Sequence, residues 1–242
     1  MKRITFILSL FICTQSFSNE QVFKQGNKQY IDENYLAAIS LYDSILTSGL
    51  ESSELYYNLG NCHYKTKDWA NAIWHYEKSI QLNTNKKTIH NLELAKLKII
   101  DRIEPLPQLF YKKWWSNLVQ TLSTQAWQTL VLLGISFIFI LQLISQFTLL
   151  KSKLTTKIFS TLTLIIFLIT QTSFYNNFTK KEAIIFSETI AVNSAPTFNS
   201  TNLFTLHSGT KIEIIDVIGD WINIKISNGN SGWIEYQSIK VL

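Results

Sequence analysis

Cys62, His63 and His75 are of types that bind metals or carry out nucleophilic chemistry, and they fall near one another in the sequence. A zinc site needs ligand pairs at short fixed separations, such as two Cys two to four apart followed by paired His. Cys62, His63 and His75 share no recognised ligand spacing, so they are read as packing residues of helices. No phosphate-binding loop, HExxH, GxSxG or paired-carboxylate pattern occurs anywhere in the chain. The expectation is therefore no catalytic residue, no metal and no cofactor. What the spacing does offer is recognition. Phe23, Asn27, Tyr30 and Ile31, and again Tyr57, Asn61, Tyr64 and Lys65, recur at i, i+4, i+7 and i+8, which places each set on one face of a helix. Tyr gives contact area at small entropy cost, Asn can hold a peptide backbone from both sides of its amide, and Lys65 can meet a carboxylate. Asn27, Tyr30, Tyr57, Asn61, Tyr64 and Lys65 are the candidate peptide-binding residues. The alternative is that they only solvate or pack their helices.

The elements that position these residues repeat. At an offset of 34, Gly26 falls on Gly60, Asn27 on Asn61, Tyr30 on Tyr64, Ala38 on Ala72, Ile39 on Ile73 and Tyr42 on Tyr76. Each unit reads as two amphipathic helices. The second is the clearer, Ser53–Lys65 and Trp69–Leu82, with Asp68 as N-cap. Small residues at Gly60 and Ala72 let the paired helices approach, and Leu59, Ile73, Tyr76 and Ile80 fill the seam. The set Tyr56, Leu59, Gly60, Ala72, Tyr76 and Ser79 resembles the tetratricopeptide repeat, with Lys67 where the family usually has Gly and Thr84 where it has Pro. The stretch Thr88–Ile103 reads as the cap helix that such arrays need. The resemblance implies that the face carrying the candidate residues lines a concave groove.

Two charge-free runs, Leu130–Leu150 and Ile158–Tyr175, follow, separated by Lys151, Lys153 and Lys157. About 20 apolar residues cross a bilayer, so they read as an antiparallel membrane hairpin; the alternative is two buried helices of a soluble core. Ahead of it, Lys112, Lys113, Trp114 and Trp115 suit a helix lying in the headgroup layer, or else an extension of the first span. Residues 1–18 read as a secretory signal: two basic residues, an apolar stretch and a small-x-small end. Bulky Ile12 argues against lipidation at Cys13. Without that segment Cys62 is the sole Cys, so no intramolecular disulfide is expected. Export together with an even number of crossings places both ends on the periplasmic side of a bacterial inner membrane. The net charge of +5 is modest and concentrated near the hairpin, which points to anionic headgroups rather than nucleic acid.

Beyond Lys181 the pattern changes to period two. Lys211–Val217 and Trp221–Ile226 alternate apolar with polar, with turns at Gly219-Asp220 and Asn228-Gly229-Asn230. This stretch resembles a bacterial SH3-like barrel, in which Trp221 and Trp233 either line a groove or belong to the core. The expected fold class is multidomain: an all-α repeat array, a two-helix transmembrane hairpin and a small all-β barrel. The boundaries are 1–18 signal, 19–104 repeats and cap, 105–126 connector, 127–150 first span, 151–157 cytoplasmic loop, 158–179 second span and 180–242 barrel. In this order, with the connector Ile103-Glu104-Pro105-Leu106-Pro107 and Lys112-Lys113-Trp114-Trp115, the chain resembles the BatE proteins of the bacterial aerotolerance operons. That resemblance implies partners among membrane-associated von Willebrand-A-domain proteins and a MoxR-type ATPase. The expected function is a non-enzymatic membrane scaffold for protein partners in an envelope stress-tolerance complex. The alternative is a cell-wall sensor that binds peptidoglycan through the barrel.

Overall fold

Ser52, Asp68 and Asn85 each accept a backbone N–H through the side chain at the start of a helix, and these caps divide the N-terminal part of the chain into hairpins. The computed structural model describes residues 19–107, 109–147, 153–175 and 180–242. The expected signal segment, residues 148–150 of the first apolar run, residues 151–152 of the loop and residues 176–179 of the expected second span lie outside those residues. One unit is formed by the chain up to Pro105 together with Lys181–Leu242, a second by Leu106–Lys180.

The first unit opens with helices α1 (19–31), α2 (Tyr35–Thr47), α3 (Ser53–Lys65), α4 (Trp69–Leu82) and α5 (Lys86–Lys96). The turn of each repeat is closed by a residue with left-handed backbone, Glu33 (φ 61°) and Lys67 (φ 64°), the same repeat position 34 residues apart. Lys67 therefore adopts, with a side chain, the conformation for which glycine is the cheaper residue. Gly26 and Gly60 sit directly on the rings of Tyr42 and Tyr76, where a Cβ would come within 2.5 Å. Of the residues predicted for the seam, Leu59, Gly60, Ala72, Ile73 and Tyr76 are buried and Ile80 is half-buried at its edge.

The cap helix is shorter than its sequence suggests. It was expected to continue to Ile103, but α5 stops at Lys96. The apolar spacing of Ile99 and Ile103 comes from packing of a different kind: Ile99 joins the array core and Ile103 joins the β core that follows. A helical pattern and an irregular strap with two buried anchors look alike over so few residues.

Residues 182–241 form seven antiparallel strands, β1 (Glu182–Ile185), β2 (Thr189–Asn193), β3 (Asn202–His207), β4 (Lys211–Ile218), β5 (Trp221–Lys225), β6 (Ser231–Glu235) and β7 (Ile239–Val241). They are ordered β3-β2-β6-β5-β4-β1-β7. Ala183, Ile185, Val192, Leu206, Ile212, Ile222, Ile224 and Ile234 point from six of these strands into one core, so the sheet coils around it as an SH3-like domain does. The residues filling it are aliphatic. Trp221 and Trp233 alternate with the inward Ile222 and Ile234 and remain half-buried on the outer face.

In the second unit, α6 (Phe110–Val119) is a separate helix rather than an extension of the first span. Trp115, Leu118 and Val119 pack on Trp127, Ile166 and Ile169, and the Trp127 indole donates to the Val119 carbonyl at 3.0 Å. Phe110, Tyr111 and Trp114 stay exposed. Helices α7 (Thr124–Phe147) and α8 (Lys153–Phe174) pack as an antiparallel pair, with Gly134 against Thr163 and Thr124 hydrogen-bonded to Ser173 at 2.7 Å. Both contain a stretch long and apolar enough to cross a membrane, Thr124–Gln146 and Leu154–Phe174, and almost none of it is buried within the protein. A soluble core helix would bury that surface. The second helix starts at Lys153, earlier than the expected Ile158.

Candidate functional site

Helices α1, α3 and α5 stand side by side, and side-chain hydrogen bonds tie them into a row. Asn27 accepts at Oδ1 from the Tyr42 hydroxyl (2.7 Å) and from Asn58 Nδ2 on the next first helix (3.0 Å). One repeat on, Asn61 accepts at Oδ1 from the Tyr76 hydroxyl (2.8 Å) and from Asn91 Nδ2 on α5 (2.9 Å), and Asn91 also donates to the Tyr57 hydroxyl at 3.3 Å. The array thus uses Asn27 and Asn61 to acquire an acceptor for a buried tyrosine hydroxyl and to join neighbouring repeats. This corrects the expectation that each Asn holds a ligand from both sides of its amide: the two carbonyl lone pairs are taken, and only the Nδ2 side can serve a peptide.

The remaining candidates surround that row. Tyr30 packs edge-on to Tyr35 at 5.5 Å, Tyr57 lies 6.2 Å from the Tyr76 ring, and Tyr64 packs edge-on to Trp69 at 5.3 Å. Tyr30, Tyr57 and Tyr64 are half-buried, and Lys65 is exposed at the end of α3. Burial raises the Tyr30 hydroxyl above its ordinary range, so it remains a neutral donor. Sequence comparison at the repeat offset missed Asn58 and Asn91, because Lys24 and Tyr57 occupy the corresponding positions one repeat earlier.

Of the Cys and His residues, the two imidazoles meet and Cys62 is enclosed apart from them. Cys62 is fully buried among Ala38, Tyr42 and Leu59, and burial pushes its thiol up to about 12. His63 and His75 stack at 5.0 Å between ring centres, and His63 faces the Asp68 carboxylate at 3.2 Å. Burial holds the His75 imidazole down to about 2, with His63 adding to the effect, so His75 is neutral.

A second site was not visible in the sequence at all: the array and the β domain are joined directly. Glu77 on α4 bonds Lys96 at 2.9 Å and Lys211 at 2.9 Å, and Lys211 reaches Glu182 at 2.6 Å. Burial alone would raise the Glu77 carboxyl, but Lys211 and Lys96 outweigh it and hold it below the usual range. Lys211 mirrors this, with Glu77 and Glu182 raising its ammonium against burial. Asp101, in the strap after α5, accepts from the His207 backbone N–H (2.6 Å), the His207 ring Nδ1 (2.8 Å) and the Thr210 hydroxyl (2.7 Å). Beside them the Trp74 indole donates to the Val241 carbonyl at 3.0 Å, and the Lys240 ammonium lies 3.6 Å from its ring centre. Ile99 presses on Gly209, where a Cβ would come within 2.5 Å, and Gly209 has a left-handed φ of 91°. On the β domain itself, Ile190, Asn193, Phe198, Asn202, Trp221 and Glu235 line an open cleft of about 340 Å³.

Residues 53–86 match the family model of the tetratricopeptide repeat, and residues 189–240 match that of the bacterial SH3 domain. No curated protein matches the chain significantly. The repeat-plus-SH3-like description is therefore carried by two independent matches and by the fold. Both modules are typically non-catalytic and bind proteins, and bacterial SH3 domains point to the cell envelope.

Proposed function

We propose that this protein is a non-enzymatic scaffold, anchored by the α7–α8 hairpin, that binds protein partners through the groove of its repeats. The direct union of array and SH3-like domain carries the reading. Segments before and after the two spans can pack together in this way when both lie on one side of the membrane, which supports an even number of crossings. A signal segment at residues 1–18 makes that side the periplasm. The order of elements and the connector resemble the BatE proteins of aerotolerance systems, which supports a role in such a complex with membrane-associated von Willebrand-A-domain proteins as partners.

Groove binding is tested with Tyr64→Ala and Lys65→Ala together, since neither side chain holds a partner residue of the Asn–Tyr row. The pair should lower recovery of native membrane partners by about thirtyfold in affinity, on the order of 2 kcal/mol. Circular dichroism provides the folding control, and undiminished recovery by a folded double mutant moves binding off the groove. Topology is tested by single cysteines in a Cys13→Ser, Cys62→Ser background. In spheroplasts, Asn228→Cys should react with an impermeant thiol reagent and Thr155→Cys should not; reaction of Thr155→Cys overturns the hairpin.

The second reading, attachment to peptidoglycan, is favoured by the Phe198–Trp221 cleft on the SH3-like domain. Co-sedimentation with purified sacculi, abolished by Trp221→Ala, would support it over a scaffold without wall affinity.

A further inference from the structure

Helix α6 carries two apolar stripes, and the protein covers one of them. Trp115, Leu118 and Val119 recur at i, i+3 and i+4 and pack on Trp127, Ile166 and Ile169 of the two apolar helices. Phe110 and Trp114, 85% and 64% exposed, form the neighbouring stripe, with Tyr111, 52% exposed, between the two. Lys112, Lys113, Ser116 and Asn117 take the remaining side. A helix in water turns its polar face outward, not a stripe of aromatic rings.

The contacts of α6 fix its depth on the hairpin. Trp127 comes three positions after Thr124, the start of α7, and Ile166 and Ile169 come eight and five positions before Phe174, the end of α8. At about 1.5 Å per residue these partners sit within about 12 Å of one shared end of the pair, the end joined by the Thr124–Ser173 hydrogen bond at 2.7 Å. The 10 residues of α6 cannot cross a hydrocarbon core of about 30 Å, and Lys112 and Lys113 enter it only at high cost. No acidic residue occurs from Leu106 to Lys180, a stretch that holds six lysines. Lys112 and Lys113 also fall at the start of α6, where there is neither a side-chain cap nor an acid and where the helix dipole disfavours cations. The counter-charge is absent from this part of the chain.

We propose that α6 is a lipid-binding element that lies along the headgroup–acyl boundary, with Phe110 and Trp114 immersed and Lys112 and Lys113 on the phosphates of anionic lipids. This rests on the membrane reading of α7 and α8. Continuity makes the partner a lipid surface: direct packing holds α6 at the end of the two spans, and its uncovered stripe extends the apolar surface that the spans themselves leave uncovered. Aromatic rings settle at that depth, and each lysine near an anionic surface adds to the attraction. Because the Trp127 indole is bonded to the Val119 carbonyl at 3.0 Å, α6 then sets how deep α7 stands in the bilayer.

The full-length protein in the Cys13→Ser, Cys62→Ser background is assembled into nanodiscs of phosphatidylcholine and phosphatidylglycerol, with a fluorophore at one introduced cysteine. Asn117→Cys places the probe on α6 between the aromatic stripe and Lys113 without removing a ring, and Leu133→Cys, in α7, reports the span. Phosphatidylglycerol carrying a nitroxide near the headgroup should quench the Asn117 probe more than phosphatidylcholine labelled in the same way, with a local enrichment of up to about fivefold for each lysine. Lys112→Gln with Lys113→Gln should remove that difference, and Phe110→Ala with Trp114→Ala should weaken quenching by both lipids. Chain-labelled lipids should quench the Leu133 probe in every variant. An unquenched Asn117 probe beside a quenched Leu133 probe overturns the lipid contact while leaving the anchor intact, and assigns the aromatic stripe to a protein partner. Equal quenching by the two headgroup-labelled lipids overturns the assignment of the lysines to lipid phosphates. An unquenched Leu133 probe overturns the membrane reading and the α6 contact with it.

Discussion

His75 shows what burial does to a single titratable side chain. It is almost fully enclosed, its Nδ1 has no hydrogen-bond partner among the described residues, and His63, Trp74 and Tyr56 surround the ring. Its imidazole titrates at about 2 in the folded protein against 6.5 in an unfolded chain. Between those values the unfolded state binds a proton that the folded state does not, so stability rises with pH through this window. The contribution is fully present above pH 6.5 and is lost as the pH falls below it, at up to about 1.4 kcal/mol per pH unit. His75→Gln cannot take up that proton. Chemical denaturation of wild type and variant at about pH 5 and pH 7.5 should show the steeper acid loss in wild type, and equal slopes would contradict a buried neutral His75. Cys62 is governed by the same physics. Enclosed and pushed up to about 12, its thiol should alkylate far more slowly in the folded protein than a free thiol does.

Among the helices, the α3–α4 pair is set by close approach at Gly60. Replacing glycine by alanine inside an exposed helix would stabilise it by about 1 kcal/mol through propensity. Here the added Cβ would come within 2.5 Å of two carbons of the Tyr76 ring. That ring is fully buried, and its hydroxyl is held by Asn61, so it cannot swing aside without breaking the inter-repeat row. Overpacking costs typically 1–3 kcal/mol, so the steric effect exceeds the propensity gain. Gly60→Ala should lower the stability of the array by about 1–2 kcal/mol net in a denaturant titration. A stabilised variant would show that the seam is looser than the tyrosine–asparagine bonds require.

At the scale of the whole chain, the array and the SH3-like domain act as one block because Asp101 and Glu77, both on the array side, accept from residues of the SH3-like domain. Asp101→Ala removes one acceptor from three donors: the His207 N–H, the His207 ring and the Thr210 hydroxyl. Leaving such groups partly buried without partners costs about 1–3 kcal/mol each where water cannot replace the bond. The variant should unfold in two transitions where wild type shows one, and protease should cut the strap between residues 97 and 105 much faster. A single unchanged transition with unchanged cleavage would mean that the apolar contacts of Ile99, Ile184 and Ile103, together with the Glu77–Lys211 pair, hold the block without Asp101.

The sequence by itself determined most of what depends on short periods and local chemistry, the end of the cap helix excepted. Recurrence at 34 residues located the helix pairs, Asp68 marked the start of α4, alternation marked β4 and β5, and two charge-free runs marked α7 and α8. Each of these signals lies within one element, where side-chain direction follows directly from position. Only the tertiary structure decided what joins the modules. Glu77 and Lys211 are 134 positions apart, and Asp101 and His207 are 106 apart, with the hairpin between them. No periodicity links such residues, and in the sequence each reads as a solvated surface charge. The same limit hid the engagement of Asn27 and Asn61 by Tyr42, Tyr76, Asn58 and Asn91: a helix face can be read from spacing, but whether its polar atoms face a ligand or a neighbouring helix depends on how the repeats stack. It also left Ile215, Val217 and Ile218, exposed at the end of β4, indistinguishable from a core strand, because an apolar run carries no mark of which surface covers it.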